Sequence, residues 1–397
     1  MNKNWPQENL GNILTRRKDE VLVQELDSYK RLTIRMNGLG VVLRDIVEGS
    51  RIGTKHQFVT KKGQLLLSKI DARNGAFGVL PEECDGAIIT GNFWAFDIDA
   101  NRLDVRYLNY LTKTRLFVDF CVRASEGTTN RRYLQEPKFL GQRVSLPPLS
   151  EQGRIVARIE ELSAKIEQTQ KLRREAAEDA EAIASAAMYI IFDFENSETT
   201  VGDFAKVQGG FAFASDNYFE QGTHQVVRIG NVRDGYLDLS RAPVHWNASG
   251  DTRVLKYELR PDDIVISMTG TREKRDYGFI AKVPENARLL LNQRVGRFVV
   301  YREVDRNYLF HFLRSPFFRD RLFPSATGTA NQANIGNSDI EKIRLAPPPI
   351  PEQRRIVAYL DDLQSKVDSV KKLQKESEVE LNALMPSILS KAFAGEL

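Results

Sequence analysis

The segment Pro147-Pro148-Leu149-Ser150-Glu151-Gln152-Gly153-Arg154-Ile155-Val156-Ala157 returns as Pro348-Pro349-Ile350-Pro351-Glu352-Gln353-Arg354-Arg355-Ile356-Val357-Ala358, 201 residues further on. The same offset pairs Leu162 with Leu363, Leu172 with Leu373 and Phe192 with Phe393 downstream, and Gly127-Thr128 with Gly328-Thr329 upstream. Still further upstream Leu65-Leu66-Leu67-Ser68 answers Ile264-Val265-Ile266-Ser267 at an offset of 199. A repeat of this length restricts the chain to two copies of one module, each followed by the same kind of helix.

The helices are legible from their borders. Prolines at 147–148 and 347–349 end the preceding strand, because proline lacks an amide donor and restricts its predecessor. Ser150 is then the expected N-cap and Pro351 a first-turn proline, with Glu151 and Glu352 where the helix dipole favours acids. Ile155, Ile159, Leu162 and Ile166 follow in a 4-3-4 spacing, and Ile356, Leu360, Leu363 and Val367 repeat it. That spacing fits a coiled-coil seam, or an amphipathic helix lying on its own module. Each helix is expected to run for about 40 residues, about 60 Å, which exceeds a small module and favours a partner helix. An antiparallel pair within the chain is the simplest solution, with a kink expected near Pro386.

Between these helices the chain alternates short strand-like runs (Gln64 to Ser68, Ala87 to Thr90, Phe93 to Phe96; Asp263 to Met268, Arg297 to Val300) with turns. One helical stretch follows in each copy, Val105 to Cys121 and Arg306 to Leu322. The expected fold is therefore a pseudo-two-fold tandem of α/β (α+β) modules separated by two long helices forming an antiparallel coiled coil. The segments are residues 1–148, 149–195, 196–348 and 349–397.

Charge follows this division. Residues 1–150 carry 23 Lys and Arg against 17 Asp and Glu, and residues 196–348 carry 21 against 18. The helical segments are acidic, 6 against 10 over 151–195 and 7 against 8 over 349–397. Two basic modules joined by acidic helices suit a polyanionic partner. No apolar run is long enough to span a membrane, the polar start lacks a signal peptide, and the cytoplasm is the expected location. Cys84 and Cys121 are expected to be buried thiols.

Most catalytic chemistry is missing from the sequence. It holds no G-x-x-x-x-G-K-[ST] or G-x-G-x-x-G loop, and its four histidines lack metal-ligand spacing. No N-P-P-[YF] or D-P-P-[YF] string is present to hold a flipped adenine, and Glu136-Pro137-Lys138 has a proline between its acid and lysine and no clear paired aspartate upstream for a nuclease site. What the modules do carry are polar loops after equivalent elements. Arg73 and Asn74 follow the Leu65–Ser68 run, and Arg272, Lys274 and Arg275 follow Ile264–Ser267. Thr128, Asn130, Arg131 and Arg132 follow the first module helix, and Thr329, Asn331, Gln332 and Asn334 the second. Arg suits guanine and Asn or Gln suits adenine, so shared positions with different side chains fit two readers of different sequences, although solvated turns have the same composition.

Two modules, each followed by P-P-x-x-E-Q-x-R-I-V-A and a long helix, with the ending Ala392-Phe393-Ala394-Gly395-Glu396-Leu397, resemble the specificity subunits of type I restriction-modification enzymes. The resemblance implies two target-recognition domains, each reading half of a split sequence in double-stranded DNA. It implies helices that act as a fixed spacer and dock two methyltransferase subunits, with Ile155, Ile159, Leu162, Ile166, Ile356, Leu360, Leu363 and Val367 as docking or spacer residues. It also implies a non-catalytic chain without cofactor, whose partner subunits hold S-adenosylmethionine, ATP and Mg, the last two on separate motor and endonuclease subunits. Two departures from perfect duplication are Gly153 opposite Arg354, and the stretch from Asn12 to Arg35, which shows no counterpart of Gly209-Gly210-Phe211. The readings that compete with it are a coiled-coil scaffold without DNA recognition and an enzyme without recognisable motifs.

Overall fold

The computed structural model describes residues 5–128, 131–301, 303–329 and 332–397, with the backbone only at Thr128 and Arg131. The four segments recombine into two compact units, residues 1–173 with 375–397, and residues 174–374. Each unit thus holds one module, the beginning of the helix that follows it and the end of the other helix.

In the first unit an antiparallel sheet runs in the order Leu14–Arg17, Phe93–Ile98, Leu65–Ser68, Phe77–Val79. Residues 65–67 are all leucine because both faces of this strand are buried. Leu65 and Leu67 join Trp94 and Phe96 in the core beneath the helices, while Leu66 and Ala95 face a second cluster with Val41, Leu80 and Ile89. That cluster lies under a second sheet, ordered Glu20–Leu22, His56–Val59, Ile88–Ile89, Ser28–Ile34, Val41–Glu48, with one parallel contact at Arg31 and Ile88.

The second unit repeats both sheets. Ala205–Gly209, Val295–Val300, Ile264–Ser267 and Ile280–Lys282 form the first. Glu258–Leu259, Leu289–Leu291, His224–Val227 and His245–Trp246 form the second, again with one parallel pairing, Gln225 to Leu289. Within the second sheet the first unit adds the edge strand Glu20–Leu22. Leu14–Arg17 is therefore the counterpart of the strand Ala205–Gly209, and Lys18-Asp19-Glu20 stands where the second module has Gly209-Gly210-Phe211.

Each expected module helix is two helices, Val105–Leu111 with Arg115–Arg123, and Arg306–Arg314 with Pro316–Ser325. The break is chemical. Thr114 and Ser315, 201 residues apart, accept from the amides of Phe117 and Phe318 and restart the chain as N-caps.

The long helices span Leu149–Ile191 and Ile350–Phe393, the second running through Pro386. They begin immediately after the prolines, so Ser150 lies in the first turn and is not a cap. The anchor is the glutamine beside the acidic residue. Gln152 is fully buried; its Nε2 donates to the carbonyls of Arg102 (2.7 Å) and Pro147 (2.8 Å), and its Oε1 accepts from the amide of Asp104 (2.8 Å). Gln353 makes the same three contacts with Glu303, Pro348 and Asp305.

Both readings of the 4-3-4 spacing hold, in different turns. Ile155 and Ile159 lie in the core of the first module, and Leu360, flanked by Ile356, in that of the second. Leu162, Ile166 and Leu363 are half-buried and Val367 is buried. Within the first unit Arg154 donates to the Leu397 carbonyl and Gln170 to Asn382, so the two helix segments run antiparallel. Within the second, Lys371 pairs with Glu181, and Met188 shares a core with Val357 and Leu360. Helix ends complete the cores: Phe393 packs against Tyr107 (4.9 Å between ring centres) and Phe192 against Tyr308 (5.4 Å). Cys84 and Cys121 are buried free thiols, and burial pushes both up from the usual thiol range. No helix among the described residues is long and apolar enough to cross a membrane.

Candidate nucleic-acid interface

The loops singled out in the sequence come together in pairs. In the first unit Ser125–Thr128 and Arg131–Leu134 pair antiparallel as the two arms of a hairpin, and Leu134 N donates to Lys69 O (2.8 Å), where the 69–75 loop begins. In the second unit Ile335 N donates to Met268 O (2.9 Å), and Thr269–Gly270 pairs with Ala333–Asn334. Lys69 and Met268 are equivalent, as are Leu134 and Ile335, so one backbone bond ties the same two loops together in both copies. Gly127 and Gly328 open the hairpins at φ 139° and 116°, a region open to glycine.

The side chains differ within this shared frame. Arg73 sits on the 3-10 turn Ala72–Asn74, half-exposed, with Asn74 exposed beside it. Gly75, at φ 81°, lets this turn touch the 35–40 hairpin, where Asn37 N donates to Asn74 O. Arg132 is exposed. Asn130 and Asn331 lie outside the described residues, as do the side chains of Thr128 and Arg131. In the second unit Lys274, Thr329 and Gln332 are exposed and Asn334 is half-buried. Arg272 donates to the Ala326 carbonyl, and Arg275 lies over the Phe323 ring (5.2 Å), so both brace the loop from which they project.

The helix residues expected to dock partners or act as spacer lie mostly inward, and Leu162, Ile166, Ile356 and Leu363 are half-buried. Ile155, Ile159, Leu360 and Val367 are buried within their own units and unavailable as a surface. The exposed apolar side chains are on other faces of the helices, for example Leu172, Ile183, Ile190 and Val379. Arg354 reaches Asp305 at 3.9 Å, a contact that Gly153 cannot make in the first copy. Glu136 and Lys138 each belong to an ion pair, with Arg16 and Glu126, rather than to an acidic cluster. Among the described residues no group of three or more His, Cys, Asp or Glu is placed to hold a metal ion.

These observations define a tandem-duplicated α/β protein whose two copies keep one backbone frame and vary the side chains on their paired loops. The model of the type I restriction modification DNA specificity domain matches residues 2–177 and again residues 195–381, and the chain belongs to this family. It is 23% identical over 305 residues to the type I restriction enzyme EcoKI specificity subunit of Escherichia coli K12, covering 73% of this chain and 65% of that one. It is 23% identical over 306 residues to the EcoBI specificity subunit of Escherichia coli, covering 70% and 63%. The chain thus matches less than two thirds of the length of either relative.

Two solved structures share the fold. The HsdS subunit from Thermoanaerobacter tengcongensis superposes with a TM-score of 0.66 at 21% identity, covering 99% of this chain and 97% of that one. A chain from work on complex assembly and conformational transition of the type I R-M system gives 0.71 at 21%, covering 99% and 98%.

Proposed function

We propose that this chain is the sequence-specific DNA-binding subunit of a type I restriction-modification complex, reading a bipartite target in double-stranded DNA. Each module reads one half-site with its paired loops. Arg73, Asn74 and Arg132 act in the first, with Thr128, Asn130 and Arg131 beside Arg132 in the sequence. Lys274, Arg275, Thr329, Gln332 and Asn334 act in the second, with Arg272 and Asn331 alongside. The observation that carries this reading is the equivalence of the Leu134–Lys69 and Ile335–Met268 bonds. A constant backbone frame bearing different polar side chains is what two readers of different bases need.

The chain itself does no chemistry in this reading. Two methyltransferase subunits dock on the helices and bring S-adenosylmethionine, and separate motor and endonuclease subunits bring ATP and Mg. The helices keep the half-sites at a set spacing. Titrating the full chain into labelled duplex at rising salt tests it: affinity that falls steeply with salt, as phosphate neutralisation requires, supports a DNA reader. Salt-independent or absent binding, with or without the methyltransferase, favours a scaffold.

A further inference from the structure

One cluster in the first module is built differently from its counterpart and is not required by the fold. On the core face of the four-stranded sheet, Trp94 is 4% exposed, with the Arg16 guanidinium 4.7 Å from its ring centre and the Lys69 ammonium 5.9 Å from it. Glu136 pairs with Arg16; among the described residues no carboxylate is paired with Lys69. Two N–H donors here, Arg16 Nε and Trp94 Nε1, are buried without a hydrogen-bond partner among the described residues. Buried donors of this kind are costly unless something satisfies them.

The second module shows what the fold itself needs at these places. The strand registers set Val207 opposite Arg16, Gly296 opposite Trp94 and Met268 opposite Lys69. Glu136 corresponds to Asn337, whose Nδ2 donates to Val207 O (3.0 Å). Met268 is 7% exposed, and the Gly296 backbone leaves room for its sulfur. The same sheet and the same loop crossing therefore form with no cation in the cluster. Two cations facing one carboxylate, with two unanswered donors, leave an excess positive charge where the 69–75 loop and the 125–134 hairpin meet.

We propose that Lys69, backed by Arg16 and Trp94, is an anion site for a DNA phosphate, present in the first module and absent from the second. This rests on the DNA-reading function above. The cation–π contacts hold the ammonium half-buried, and a phosphate on its exposed side supplies the counter-charge that the cluster lacks. Such a site positions the first module on the duplex without selecting bases.

The test compares the full chain with Lys69→Met, Lys69→Gln and Lys69→Arg on a mixed-sequence 40-base-pair duplex between 50 and 200 mM salt. Lys69→Met should unfold at the wild-type temperature, since Met268 fills the equivalent place, and Lys69→Gln serves if it does not. Either neutral variant should bind roughly fivefold more weakly and lower the slope of log K against log salt by about one, while Lys69→Arg keeps the slope. A wild-type slope in both neutral variants overturns this assignment and leaves the DNA-reading function standing. Failure of the wild-type chain to bind the duplex overturns both.

Discussion

The amide of Asp104 donates to Oε1 of Gln152 at 2.8 Å, and 201 residues later Asp305 donates to Gln353 at 2.7 Å. Asp104 and Asp305 also cap the module helices that start after them. Each glutamine therefore locks the first turn of a long helix to the start of a module helix, which explains physically why the repeat keeps Gln at this place.

Replacing Gln152 with leucine leaves the Asp104 amide and the Arg102 and Pro147 carbonyls without their partner. With two to three buried groups unpaired, the destabilisation should be about 2–4 kcal/mol by denaturant unfolding. The matching change at Gln353 should cost about the same or less, because its contact with Glu303 is longer at 3.4 Å. A destabilisation below about 0.5 kcal/mol at Gln152 would show that the helix is held by other contacts.

Phe192 and Phe393 occupy equivalent places but not equal environments. Phe192 is fully buried against Phe194, Tyr308 and Phe312, while Phe393 is half-buried against Tyr107. Phe192→Ala should cost about 3–5 kcal/mol and Phe393→Ala clearly less. Hydrogen exchange locates each effect: Phe192→Ala should open residues 306–325, and Phe393→Ala residues 105–123. The opposite assignment would contradict the division into units.

His311 introduces a pH dependence into the second unit. It is buried, its Nε2 lies 2.8 Å from Asp361 of the C-terminal helix, and Lys282 and Arg314 also face it. Burial holds its pKa below the ordinary value of 6.5 despite the aspartate. Because the folded pKa is depressed, the unfolded chain takes up the proton first. Stability contributed by the neutral ring is present above pH 6.5 and declines as pH falls below it. Urea midpoints at pH 7.5 and 5.5 should differ more in the wild type than in His311→Tyr, which takes the residue found at Tyr110 in the first copy. Equal differences would mean that His311 is not the titrating group.

Arg132→Ala and Lys274→Ala should leave unfolding within about 0.5 kcal/mol of wild type, since both side chains are exposed. If either side chain touches a base edge, its removal should cost about 1–3 kcal/mol at one half-site only; if it touches a phosphate, binding to all sequences should weaken alike. Wild-type affinity in both variants would take these loops off the recognition surface.

The modules and both long helices are legible in the sequence because duplication left similar strings at offsets of 201 and 199. The second sheet is not. Its defining parallel contacts join Arg31 to Ile88 and Gln225 to Leu289 across long, differently sized insertions, and neither pair shares a residue type with the other. The seam is half legible: the spacing at Ile155, Ile159, Leu162 and Ile166 marks a buried stripe, but cannot tell packing on a module from pairing with a helix. The break at Thr114 and Ser315 is hidden because apolar periodicity continues across it. The polar loops stand out by composition, whereas Lys69 and Trp94 do not, since nothing in the string Lys69-Ile70-Asp71 shows a cation parked over a ring.

The most direct test of the central claim is a map of methylated adenines in DNA from cells expressing this chain with a type I methyltransferase partner, beside the same cells expressing Arg132→Ala. A DNA reader with two modules predicts a split motif, two short specific halves around a gap of constant length, in which the variant relaxes or weakens one half and leaves the other unchanged. Methylation that is independent of this chain, or a single uninterrupted motif altered throughout by the variant, would contradict it.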